Sequence, residues 1–212
     1  MTPTQQVPAT ADDECLVLTR QLRRRGTVVL SVFALLWAFT GASGTGAATD
    51  VVPVTVEAAA VLITAAAIYL GHRKDAAPSP RLVRLPANWA RGVGLVNGAE
   101  VAAIVAVIAA TVGSGHPRVL PAAVALFVGL HFFPLARLYD QWQYRWTGAL
   151  LSVVAAAGFV LTVAGVPGEI LRIVVGPGCA PVLRATGYHL ALTGRPAAAA
   201  PGCHRYGLPL GT

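Results

Sequence analysis

Lysine is nearly missing from this chain: Lys74 is the single one, against 15 arginines. Charge of either sign is scarce, at 12% of 212 residues, where soluble globular domains carry about 25%. The three cysteines, Cys15, Cys179 and Cys203, are odd in number and match no zinc or redox spacing. With Cys15 and Cys203 facing a reducing cytosol, on the orientation argued below, no disulfide is expected. Catalytic signatures are missing too. There is no Gly-x-Ser-x-Gly, no His-Glu-x-x-His, no phosphate-binding glycine loop and no clustered aspartate pair. Cys203-His204 with Cys179 and His189 is irregularly spaced for a metal. The sequence therefore predicts no enzyme, no cofactor and no metal. The net charge of +7 could suit nucleic acid. The basic residues instead flank apolar blocks and form no stripe with stacking aromatics, so no nucleic-acid partner is expected. Cationic loops held at an anionic membrane face account for the charge.

What is present is apolar sequence, 55% of the chain, gathered in blocks. A bilayer core about 30 Å thick needs about 20 residues of helix, and several blocks reach that length. The expected architecture is an all-α membrane protein, a bundle of five or six transmembrane helices. Spans are expected at 27–47, 51–70, 93–112, 120–138 and 147–166. A sixth, at 170–192, contains Arg172, Arg184, His189, Pro177 and Pro181. A full crossing is expected there because both arginines lie toward the ends and can snorkel. A broken helix or a re-entrant segment is the alternative. Residues 1–26 read as a cytosolic flank. Within it, Asp12-Asp13-Glu14 opens and Arg23-Arg24-Arg25 closes a short apolar stretch, which suits either an interfacial helix or a solvated basic flank. Ala42-Ser43-Gly44 offers small residues for signal cleavage, but the long acidic flank before the first span favours an uncleaved one. Residues 193–212 read as a disordered tail. Trp89, Tyr139, Trp142, Tyr144 and Trp146 fall where interfacial aromatic belts lie.

The loops orient the chain. Basic residues flank span 1 on its N-terminal side and fill loop 71–92 and the turn after span 4, eleven in all. The opposite side has only Arg118 before span 5 ends. The positive-inside rule places the N-terminus in the cytosol, and with six spans the C-terminus as well. The expected location is the cytoplasmic (inner) membrane, multi-pass, with the lipid bilayer as partner.

Polar groups inside a bilayer are costly and mark candidate sites. Glu57, Glu100 and His131 fall within spans. Glu100 lies seven residues past the start of span 3, and His131 seven before the end of span 4. At 1.5 Å per residue both sit about 10 Å from one boundary. The loop between these spans is short, so they should be antiparallel neighbours. A Glu100–His131 contact is then allowed, whereas Glu57 belongs nearer the outer end of its span. Asn97 precedes Glu100 by three residues, and Pro134 frees the Leu130 carbonyl beside His131. The candidate intramembrane cluster is Asn97, Glu100 and His131, with that carbonyl. It reads either as a proton-responsive site or as an interhelical bond holding spans 3 and 4 together. Gly94 and Gly98 are expected to permit close packing within the bundle. A homo-oligomer is not indicated. Residues 33–42 can be laid over 127–136, which raises an inverted three-span repeat.

Gly129-Leu130-His131-Phe132-Phe133-Pro134-Leu135-Ala136, with the aromatic-rich turn and Thr147-Gly148-Ala149-Leu150 after it, resembles a stretch in small, uncharacterised prokaryotic multispan integral membrane proteins. The resemblance covers spans 4 and 5 and the Asn97/Glu100 region. It implies a helical membrane domain and no particular activity. Two functional classes follow from the residues. One is a small-solute or proton-linked permease with a small molecule or proton as substrate. The other is a non-transporting sensor or assembly module acting through loop 71–92.

Overall fold

Every apolar block becomes a helix in the computed structural model, which describes residues 11–45, 51–72 and 88–192. The helices are α1 (Ala11–Ala42), α2 (Val51–His72), α3 (Trp89–Gly113), α4 (Leu120–Leu138), α5 (Gln143–Val163) and α6 (Gly168–Leu192). A single 3-10 turn, Pro117–Val119, leads into α4. Among the described residues there is no strand. Four helices are long and apolar enough to cross a membrane: α1 over Arg24–Ala42, α3, α4 with its preceding turn, and α5.

The distribution of side-chain size argues for a lipid surround. Alanine makes up about half of the buried apolar residues. Large apolar side chains, including Leu36, Leu62, Leu95, Val153, Val160 and Val163, are exposed instead. A water-soluble fold buries its large apolar residues and avoids such patches. Lipid removes that pressure, and small residues then gain by letting helix backbones approach.

Two glycine contacts show this approach. A Cβ on Gly176 of α6 would come within 2.5 Å of the Gly41 nitrogen and 2.6 Å of the Trp37 carbonyl on α1. A Cβ on Gly148 of α5 would come within 2.7 Å of the Gly129 carbonyl on α4. Only glycine fits at these crossings. They tie α1 to α6 and α4 to α5, the two most extensive helix pairings. Helix α6 also packs on α2, α4 and α5, so it forms the centre of the bundle. Helix α3 lies at the edge, where α4 is its main neighbour.

Three helices end alike. After α3 the His116 amide donates to the Thr111 carbonyl, after α4 Gln141 to Ala136, and after α5 Val166 to Leu161. Each closure needs one left-handed residue. Gly115 (φ 73°) and Gly165 (φ 78°) supply two of them, and Asp140 (φ 48°) the third.

Several expectations change. The acidic-to-basic flank is not a separate interfacial element: α1 runs without a break through Gly26. A Cβ at Gly26 would rest against the Tyr144 hydroxyl and Leu190, so tertiary packing holds the helix where its sequence suggests an end. Helix α6 is one unbroken helix despite Pro177 and Pro181. Both prolines sit on its exposed side, while Leu171, Val175, Cys179 and Leu183 line its buried side. At 1.5 Å per residue its 25 residues extend about 37 Å. Its modest hydropathy fits its central position, because protein rather than lipid covers most of it. The three-span repeat is not matched, since α5 packs on α6 whereas the corresponding α2 and α3 share no substantial contact. Residues 1–10, 46–50, 73–87 and 193–212 lie outside the described residues, as does the side chain of Glu57.

Candidate functional site

The contact stripe of α3 explains where its polar residues go. Its partly buried positions are Trp89, Gly92, Val93, Val96, Glu100, Ala103, Ile104, Val107 and Thr111, which recur mainly at spacings of three and four. Glu100 is the one ionisable member of this stripe, and the facing stripe of α4 carries His131. The carboxylate Oε2 stands 3.2 Å from His131 Nδ1, and the two side chains are only 13% and 10% exposed. The approach lacks the alignment of a directed hydrogen bond. Its strength therefore depends on charge, and so on where protons sit. The Val96 backbone, one turn before Glu100, also approaches the imidazole.

Asn97 does not join them. It is exposed and has no hydrogen-bond partner among the described residues. It lies one residue past Val96, about 100° around the helix, and α3 has a single helix against it, so a narrow stripe is all that is covered. No side chain among the described residues donates to the Leu130 carbonyl, although Pro134 lies inside α4 as expected. The cluster of three is thus a pair. Gly94 and Gly98 are likewise off the stripe: a Cβ on either would meet nothing within 4 Å. They do not serve packing within the bundle.

Rings enclose one side of the pair. His131 meets Phe132 edge-on at 5.8 Å, Phe132 meets Tyr144 at 5.6 Å, Tyr144 meets Tyr139 at 6.1 Å, and Tyr139 meets Trp89 at 6.2 Å. This chain of contacts runs from the pair to the start of α3. Tyr144 is turned inward and is 8% exposed, whereas Trp142 and Trp146 point outward as belt residues do. Burial raises the affinity of the Tyr139 phenol for its proton.

A second set of polar groups carried no sequence mark. Thr147 of α5 and Thr186 of α6 share a buried hydroxyl–hydroxyl contact of 2.7 Å. Each is also placed to donate to its own helix, Thr147 to the Gln143 carbonyl and Thr186 to the Val182 carbonyl. With one proton apiece they make two of these three bonds at a time. Thr27 and Thr64 are buried, and their hydroxyls have no partner among the described residues. Threonine is common in apolar spans, so only the fold separates these from their exposed counterparts.

Cys179 is a free, buried thiol, while the Cys15 side chain and Cys203 lie outside the described residues. Among the described residues no three His, Cys, Asp or Glu side chains gather as a metal site would require. Comparison with family models, with curated proteins and with solved structures finds no match to this chain.

Proposed function

We propose that this chain is a proton-linked permease for a small solute, embedded in the cytoplasmic membrane with its N-terminus inside. The Glu100–His131 contact carries the reading. It is a proton-dependent attraction at the one substantial seam between an edge helix and the rest of the bundle. Where Glu100 is ionised and His131 protonated, opposite charges hold α3 against α4 in a setting of low dielectric. Moving a proton between the groups, or adding or removing one, changes that attraction. The helix with fewest neighbours is the one such a change can displace. Coupling a proton to a helix movement is what a proton-linked permease requires. Eleven basic residues on one side of the spans against one on the other support the orientation.

The test is solute-driven proton flux in liposomes. Glu100→Gln should insert and fold as the wild type does and lose coupled flux. Loss of insertion instead would assign the pair to holding the helices together.

One observation favours a second reading, a non-transporting membrane module acting through the cytosolic loop. The Glu100 and His131 side chains stand against each other almost withdrawn from the surface, at 13% and 10% exposure. Wild-type liposomes without flux for any solute, from protein that is correctly inserted, would select it.

A further inference from the structure

Arg184 of α6 lies eight residues before the helix end, about 12 Å along the helix from it, and is partly buried. Arg184 Nε and Nη2 are both buried, and neither has a hydrogen-bond partner among the described residues. These two atoms form one edge of the guanidinium, the edge that meets both oxygens of a carboxylate together. A second unmatched donor lies on α2. Thr64 is 7% exposed, and its hydroxyl is buried without a partner among the described residues. The contact between α2 and α6 brings together the helix segments that carry the two groups. The Tyr188 hydroxyl, one turn after Arg184, donates to the carbonyl of Ile63, the residue before Thr64, at 3.0 Å. The Tyr188 phenol is also within electrostatic reach of the guanidinium. An unpaired cation within a membrane span is among the most costly groups a bundle can hold. Donors with no acceptor among the described residues call for an anion, and a planar two-oxygen group matches the unpartnered edge.

We propose that the seam between α2 and α6 binds a carboxylate, gripped by the Nε/Nη2 edge of Arg184 and the Thr64 hydroxyl. The carboxylate is that of a small monocarboxylate from solution. The site is separate from the Glu100–His131 pair and stands whether or not the protein transports anything.

Thermal unfolding of the purified full chain in a neutral detergent, at fixed pH and ionic strength, tests this with sodium acetate against sodium chloride. A ligand that binds only the folded state raises the midpoint as its concentration rises. Acetate raises the wild-type midpoint above that in chloride, Thr64→Val weakens the response, and Arg184→Gln weakens apparent affinity about tenfold or more. Should Arg184→Gln fail to fold, Arg184→Lys replaces it: an ammonium has no two-pronged edge, so preference for acetate over chloride is lost. No acetate response in the wild type overturns the proposal. So does a response undiminished by Arg184→Gln and Arg184→Lys.

Discussion

At the scale of single residues, two polar side chains carry the account and a third was shed. Glu100 and His131 were legible because depth along a helix follows from counting residues, and a short loop makes two spans antiparallel. Asn97 was misplaced because a spacing of three leaves open which side of the helix the neighbour covers. A double-mutant cycle measures the difference. Glu100→Gln and His131→Asn should couple by about 0.6 kcal/mol, and at most about 1.7, in unfolding from detergent. Asn97→Ala paired with His131→Asn should show no coupling. Coupling of Asn97 equal to that of Glu100 would restore the three-residue cluster. The Thr147–Thr186 contact was not legible at all. Nothing in the sequence distinguishes a threonine that faces a partner helix from one that faces lipid, and the partners stand 39 residues apart.

At the scale of elements, glycine has three uses here, and substitution separates them. Gly176→Ala forces a methyl group onto the Gly41 backbone and should cost about 1–3 kcal/mol through overpacking. Gly165→Ala meets nothing within 4 Å, yet it must hold a φ of 78°. It should cost about 1 kcal/mol through the backbone alone. Gly94→Ala has neither obstacle and should be neutral or stabilise by up to about 1 kcal/mol through helix propensity. Thermal unfolding in detergent ranks the three, and equal losses at Gly94 and Gly176 would contradict the placement of α3. The helices themselves were legible from runs of apolar residues, and α4 matches its expected bounds of 120–138. In sequence α1 divides at Gly26, which follows a basic run, a local stop signal. Two prolines and two arginines count against α6 when that helix is taken alone. Its central place supplies neighbours on several sides, which a local reading cannot see.

At the scale of the whole molecule, an interior rich in alanine and a surface of large apolar side chains fit a bundle solvated by lipid. Composition made that class legible. It said nothing of substrate, because apolar residues matched to lipid are interchangeable and only a few polar ones discriminate. With α6 crossing as the sixth helix, a reporter fused after the last residue should be active only in its cytosolic form. Activity on the outer face would remove α6 from the crossing set. The central claim is that Glu100 and His131 act together on a proton. It is tested most directly by proton flux into liposomes carrying the wild type, each single exchange, and the swapped pair Glu100→His with His131→Glu. The account predicts flux from the wild type, its loss in Glu100→His and in His131→Glu alone, and partial return in the swap. Single exchanges that conduct like the wild type, or a correctly inserted wild type with no flux, would contradict it.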